Sequence, residues 1–180
     1  MLIGLAGLKQ SGKSTAGDYL ASKYKFEHTS FAAPMRRFAM DVLYMNEVQL
    51  ELGKERPVAF LGNGVTPRKF LQLLGTEFGR EMIHPDLWVR ACLMRVRPEN
   101  NTVISDVRFD NEAHAIRAMG GKIVRIKRAN QAPTGDGHAS EQGIHPALVD
   151  YDITNNGERV EHFHRDLDKL VGFLRSGDIR

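Results

Sequence analysis

The stretch Gly7-Leu8-Lys9-Gln10-Ser11-Gly12-Lys13-Ser14 follows the pattern G-x-x-x-x-G-K-[ST] and comes directly after an apolar run, Met1 to Ala6. That order calls for a buried strand, a tight loop and then a helix. The residue types carry the chemistry. Two glycines let the backbone curl until its N–H groups converge on phosphate oxygens, Lys13 reaches the β- and γ-phosphates, and Ser14 offers a hydroxyl to Mg²⁺. Bound phosphate then sits at the N-terminus of the following helix, where backbone donors and the helix dipole favour negative charge. Gly7, Lys9, Ser11, Gly12, Lys13, Ser14 and Thr15 are the nucleotide-binding candidates. The alternative, a glycine-rich turn with no ligand, is disfavoured by the strand before and the helix after.

With 180 residues, 42% hydrophobic and 26% charged, the chain has the make-up of one globular domain with a full core around one sheet. It holds no repeat or low-complexity tract. A formal charge of +3 and a pI of about 9.1 suit a polyanionic partner and an enzyme of phosphorylated substrates equally. The single cysteine, Cys92, cannot form an internal disulfide, which fits a reducing cytosol. No apolar run approaches the ~20 residues a membrane span needs. With no signal pattern either, a cytoplasmic protein without a membrane partner is expected, and Met1 lies so close to the loop that no targeting segment or preceding domain is expected there.

Apolar spacing predicts a helix over Thr15–Tyr24 and a short strand within Phe26–Phe31. Ala33–Leu52 reads as one helix, opened by Pro34, stopped by Gly53, with Met35, Phe38, Ala39, Val42, Leu43 and Met45 on its apolar face. After a loop from Lys54 to Val65, Thr66 as cap and Pro67 at the first helical position start a helix toward Met82, with Phe70, Leu71, Leu74 and Phe78 inward. His84-Pro85-Asp86 breaks it before a helix over Leu87–Arg97. Thr102–Asp106 is a buried parallel strand tipped by a carboxylate, Asn111–Met119 a helix, and Lys122–Ile126 a strand. Lys127–Pro146 is polar and irregular, the character of a functional lid or mobile loop. Val149–Thr154 is the last strand, and a helix with Val160, Phe163, Leu167, Leu170, Val171 and Leu174 on one face closes the chain. The alternation predicts an α/β fold, a parallel sheet with helices on both faces. The expected organisation is one domain over 1–180, with a helical insertion at about 33–97 and a lid at about 128–147.

The loop identifies a nucleotide site but not the group that receives a phosphate. Three features point to a second anionic substrate. Arg68, Lys69, Gln72, Thr76 and Arg80 fall largely along one side of the Thr66–Met82 helix, so cations and amides point together, with Gly75 among them. A solvated basic face is the alternative. Asp106 and Arg108 alternate onto one side of a strand end, where Asp106 suits Mg²⁺ or its waters and Arg108 a transferring or accepting phosphate. The alternative there is a strand-end ion pair, with Asp110 or Glu112 as helix N-terminal charges. Arg125, Lys127 and Arg128 lead into the lid, whose cations on closure would exclude water from the phosphates. Trp88 could stack on a base, but its pattern favours the core, and Cys92 reads as a small buried side chain. His162 and His164, two apart, fall on different helix faces and make a poor metal pair.

Gly7 to Ser14, Arg68 to Glu77, Asp86-Leu87-Trp88-Val89, Ser105 to Glu112, His138-Ala139-Ser140-Glu141 and Asn155-Asn156-Gly157 together resemble the deoxynucleoside monophosphate kinases of bacteriophages. The resemblance covers residues 1 to about 175. It implies a P-loop NTPase three-layer fold of the nucleoside monophosphate kinase type, and ATP- and Mg²⁺-dependent phosphoryl transfer to a deoxynucleoside monophosphate. By that likeness Arg37, Arg68, Lys69, Gln72, Gly75, Thr76, Arg80 and Trp88 surround the monophosphate, with Trp88 near its base, against the core reading above. Lys13, Asp106, Arg108 and Arg128 serve the transfer, Ser14 and Asp106 hold the metal, and Asn155, Asn156 and Gly157 lie near adenine. Dephospho-coenzyme A kinases and animal-type phosphomevalonate kinases look similar at the loop and at Asp-x-Arg. The Arg-Lys-x-x-Gln and Asp-x-Trp blocks favour the deoxynucleotide enzymes. A P-loop ATPase acting with nucleic acid is the reading from another class, but the chain shows no aromatic-interleaved basic stretch of the kind nucleic-acid grooves use. The expected partners are therefore small molecules, and a homodimer is compatible with this reading.

Overall fold

Leu2–Ala6 is buried at every residue and forms the central strand of a five-stranded sheet, as an uninterrupted apolar run in a two-sided sheet must. This computed structural model describes residues 1–128, 143–156 and 159–177. In chain order the elements are β1 (Leu2–Ala6), α1 (Lys13–Tyr24), β2 (Glu27–Thr29), α2 (Ala33–Leu43), α3 (Glu47–Leu52), α4 (Pro67–Leu73), a π-helical segment (Leu74–Ile83), α5 (Leu87–Leu93), β3 (Thr102–Val107), α6 (Asp110–Ala118), β4 (Lys122–Arg128), β5 (Tyr151–Asn155) and α7 (Val160–Ser176). Short 3₁₀ turns occupy Ala59–Leu61 and Pro146–Leu148. Two units divide them: Met1–Ser30 with Val96–Arg180, and Phe31–Arg95.

The first unit is the α/β body. Its sheet runs β2-β3-β1-β4-β5 with every pairing parallel, so all five C-terminal tips lie on one edge, the edge where open α/β sheets bind ligands. Ile3, Leu5, Val103, Val124, Ile126 and Ile153 from the sheet pack with Leu20 of α1 and Phe163, Leu167, Leu170 and Val171 of α7. The opposite face receives α6: a Cβ on Gly4 would stand 2.7 Å from Ile116 Cδ1. One irregularity interrupts the ladder. Gly4 pairs with Ile104 and Ala6 with Val107, so Leu5 alone stands against Ser105 and Asp106, and β3 carries a bulge there.

The second unit, Phe31–Arg95, is helical. Ala39, Leu43 and Leu50 form its buried centre, with Val58, Leu61, Phe70 and Leu71 packed against them. Two expectations change here. The helix predicted over Ala33–Leu52 is two helices, because Tyr44 turns left-handed (φ 53°) and Asn46 starts α3 with a capping box that includes Gln49. The helix predicted from Thr66 does begin with a Thr66 cap on the Lys69 N–H and Pro67 behind it, but from Leu74 it widens to π winding. Residues 76 and 80 therefore leave the helical line that joins 68, 69 and 72, and Phe78, expected inward, is 46% exposed.

In the first unit, α1 and α7, which lie on the same face of the sheet, are joined by one carboxylate. Asp168 accepts from Tyr19 Oη at 2.7 Å, Tyr24 Oη at 2.8 Å and Lys23 Nζ at 2.8 Å, while His164 stacks on Tyr19 with centroids 3.8 Å apart. Burial pushes the Asp168 carboxyl up, but Lys23 and the two tyrosines outweigh it and hold it below its ordinary value. A carboxyl depressed in the folded chain contributes stability that is complete above its unfolded pKa, roughly 3.9, and is lost as pH falls through the lower folded value. Asp168→Ala is expected to cost roughly 1–3 kcal/mol at neutral pH, by loss of two partly buried hydroxyl bonds and an ion pair. Thermal melts across pH should show that deficit shrinking below about pH 4, toward no difference from the parent chain.

Candidate active site

The loop between β1 and α1 has the shape its glycines require. Gly7 sits at φ 138° and Gly12 at φ 108°, both outside the range of side-chain-bearing residues. A Cβ on Gly7 would meet the Ile126 carbonyl oxygen at 2.2 Å, and one on Gly12 would meet Asn155 Nδ2 at 2.6 Å. The loop is thus pressed against β4 on one side and the end of β5 on the other. Lys13, buried within the first turn of α1, donates from Nζ to Gly7 O at 2.7 Å and Leu8 O at 2.6 Å. Ser11 is fully buried, and among the described residues its Oγ has no hydrogen-bond partner. Ser14 and Thr15 are exposed at the helix start, and Lys9 is half-buried.

Beside the loop, β4 and β5 supply cations and their counter-ions. Arg125 and Asp152 are cross-strand partners, with Nε–Oδ1 at 2.7 Å and Nη2–Oδ2 at 2.9 Å, and Lys127 Nζ reaches the same carboxylate at 2.7 Å. The Arg125 guanidinium, against the opposing effect of burial, brings the Asp152 carboxyl down to about 2, with Lys127 adding to it. Of the three cations expected to lead into a lid, two are therefore committed to Asp152. Arg128 instead donates from Nη1 to Gln10 O of the phosphate loop at 3.2 Å. A cavity of about 350 Å³ opens here, lined by Ala6, Gly7 and Leu8 of the loop, by Arg125 to Arg128 and by Ile144. The lid expected over 128–147 falls mainly on residues 129–142, outside the described residues, as does Gly157.

The tip of β3 is braced by side chains that the sequence reading treated as an alternative to function. Glu112, 3% exposed in the first turn of α6, accepts the Arg108 N–H at 2.8 Å and the Phe109 N–H at 3.1 Å through one oxygen. Asp110 Oδ1 accepts the His145 N–H at 2.8 Å. Asp106 and Arg108 are both partly exposed at this tip. Ser105 and Val107 are buried and alternate with the partly exposed Asp106 and Arg108, while β3 ends at Val107 and its register on β1 shifts between Gly4 and Ala6. Asn155, the first residue of the stretch expected near adenine, donates from Nδ2 to Ser11 O at 3.0 Å, while Asn156 is exposed.

The acceptor candidates belong to the helical unit. Arg68 pairs with Glu55 at 2.5 Å, Arg80 donates to Pro85 O at 3.3 Å, and Lys69 and Arg37 are exposed. Gln72 and Thr76 are half-buried. Trp88 is half-buried and is neither a plain core residue nor a loose one. Its Nε1 donates to Gly75 O at 2.9 Å, and its ring lies where a Cβ on Gly79 would be, 2.3 Å from Nε1. Cys92 is buried as expected.

A family model described as deoxynucleotide monophosphate kinase matches residues 53–166. The chain belongs to this family. Over 95% of its length it is 35% identical to the protein described as deoxynucleotide monophosphate kinase in Acanthamoeba polyphaga mimivirus, of which the match covers 96%. It is 29% identical over 82% of its length to the deoxynucleoside-5'-monophosphate kinase of Escherichia phage T5, 64% of which is covered. Among solved structures, dephospho-CoA kinase from Campylobacter jejuni superposes with a TM-score of 0.51 at 15% identity, covering 98% of both chains, and so shares the fold. The α/β architecture with its phosphate loop is thus that of a kinase, and kinase chemistry uses ATP. No helix among the described residues is long and apolar enough to cross a membrane.

In this family member, what the sequence pattern leaves out is the bracing contacts that Asn155 and Glu112 make. Asn155 carries a legible signal only as part of Asn155-Asn156-Gly157, and Glu112 only as an acidic residue three places into a helix. Asn155→Ala is expected to leave the sheet intact and to weaken ATP binding about five- to tenfold, the value of one lost hydrogen bond of about 1 kcal/mol to the loop. Calorimetric titration with a non-hydrolysable ATP analogue measures it, and an unchanged affinity would show that the loop holds its shape without β5.

Proposed function

We propose that this chain transfers the γ-phosphoryl group of ATP to the phosphate of a deoxynucleoside 5'-monophosphate, giving the diphosphate and ADP. The observation that carries the proposal is the phosphate cradle itself. Gly7 and Gly12 take positive φ, Lys13 is buried at the start of α1, and the buried Ser11 hydroxyl has no hydrogen-bond partner among the described residues, which suits a loop that wraps phosphate oxygens. Ser14 and Asp106 offer hard oxygen donors. A Mg²⁺ ion suits so small a protein donor set, since it keeps several waters and takes one or two protein oxygens. When bound, that ion neutralises charge on the β- and γ-phosphates.

The chain's own residues do the rest. An ionised acceptor phosphate needs no general base, so the work is positioning and charge neutralisation. The acceptor's oxygen forms its bond to the γ-phosphorus as the bond from that phosphorus to the β–γ bridging oxygen breaks, and the bridging oxygen leaves on ADP. Lys13 holds the β- and γ-phosphates, Arg108 neutralises the transferred group, and Arg128 adds charge from the end of β4. The helical unit supplies acceptor recognition through Arg37, Arg68, Lys69, Gln72, Thr76 and Arg80. Trp88, locked to Gly75 and laid on Gly79, provides a rigid aromatic face for a base. Asn156 and Gly157 are assigned to the adenine side.

A coupled assay with ATP and dAMP, dGMP, dCMP or dTMP should yield a diphosphate from at least one of them. ATP turnover with dephospho-coenzyme A or phosphomevalonate and none with any deoxynucleotide would refute the proposal. Arg108→Ala is expected to lower turnover roughly a thousandfold, about 4 kcal/mol, with the fold retained. Normal turnover in that variant would remove Arg108 from the transfer step.

A further inference from the structure

One side-chain chain in the α/β body is used by none of the roles above. His28 on β2 lies between Asp18 of α1 and Ser105 of β3: its Nδ1 is 2.8 Å from Asp18 Oδ1, and its Nε2 is 2.8 Å from Ser105 Oγ. In the neutral ring the carboxylate selects the tautomer, because an acceptor at Nδ1 requires the proton there and leaves Nε2 to accept the Ser105 hydroxyl. Thr29 O, the other acceptor for that hydroxyl, is more distant at 3.5 Å. The site has been cleared for the ring: a Cβ on Gly17 would lie 2.5 Å from His28 Nε2. Ser105 is 8% exposed, so its hydroxyl is bonded within the protein.

Ser105 and Asp106 are the two residues of the β3 bulge that stand against Leu5. The register of β3 on β1 shifts at this point, and bulges beside active sites re-aim side chains. The bulge is gripped from its inner side by His28 through Ser105, and the turn just beyond it is gripped by Glu112 through the Arg108 and Phe109 amides. We infer that His28 is a positioning residue: through Ser105 it fixes the β3 bulge and so sets the direction of the Asp106 carboxylate. Its partner Asp18, 74% exposed at the side chain, contributes mainly by holding the ring in the accepting tautomer. The inference rests on the role given to Asp106 in the proposed transfer.

The test uses the full chain with His28→Leu, His28→Gln, Ser105→Ala, the double variant and Asp106→Asn. His28→Leu and Ser105→Ala are each expected to lower kcat about 10- to 100-fold, the range spanned by groups that orient metal ligands, with the KM of both nucleotides changed less than about twofold. The double variant should be no worse than the poorer single one, because both break one path. His28→Gln, which can return a polar atom to the place of Nε2, should restore most of kcat. A second readout needs no nucleotide. Hydrogen exchange at the Arg108 and Phe109 amides should quicken in His28→Leu and not in His28→Gln, with the β1 amides unchanged. If His28→Leu does not fold, Ser105→Ala decides alone. Wild-type kcat and exchange in Ser105→Ala, with Asp106→Asn inactive, would overturn the inference and leave the proposed function standing. A fully active Asp106→Asn would instead remove the role of Asp106 on which both depend.

Discussion

The contact on which the site depends is between Gly7 and the carbonyl of Ile126. A backbone at φ 138° lying where a Cβ would come within 2.2 Å of a strand carbonyl is a conformation that one residue type accepts. Because the loop is pressed onto β4 at that point, its later residues are free to curl toward Gly12, where the end of β5 takes over through Asn155. The phosphate loop is therefore a three-strand construction. β1 delivers it, β4 supports its first glycine and β5 its last, and the parallel order β1-β4-β5 places those supports side by side.

The same economy governs the tip of β3. At that tip the register of β3 on β1 shifts between Gly4 and Ala6, so its shape is not left to the ladder alone. The support passes to side chains of neighbouring elements: Glu112 from α6 takes the backbone of Arg108 and Phe109, and His28 from β2 takes Ser105. A buried carboxylate accepting two amide N–H groups is a charge-assisted arrangement, about twice as strong as a neutral one, so the turn is set firmly while the side chains of Asp106 and Arg108 remain partly exposed.

The order of strands and helices, the loop and the core face of α7 were legible in the sequence, because period and glycine placement are local and the burial they imply is satisfied within each element. What escaped is nonlocal or depends on one dihedral. Tyr44 gives no sequence warning that it will turn left-handed and split Ala33–Leu52, although Asn46 with Gln49 three places on was a readable helix start. The π winding after Leu74 is stabilised by what it meets, with Trp88 reaching back to Gly75 O across 13 positions, and no window of sequence contains both the cause and the effect. Glu112 was read as a helix-terminal charge and proves to be that and a brace for the β3 turn as well. His28 could not be read at all, since Asp18 and Ser105 come to it from 10 and 77 residues away.

Charge, too, is distributed more finely than its total of +3 suggests. Arg125 and Lys127 share a carboxylate that they themselves hold near pH 2, so a phosphate oxygen would have to displace an ion pair to recruit them. Arg128, the next cation along β4, donates to a neutral carbonyl of the loop, and a phosphate oxygen exceeds a carbonyl as an acceptor where it could not exceed a carboxylate by much. Three successive basic positions at the end of one strand are thus not equivalent. Asp152 fastens the strand end to β5 with two of them, and the third is left against the loop whose ligand it would meet.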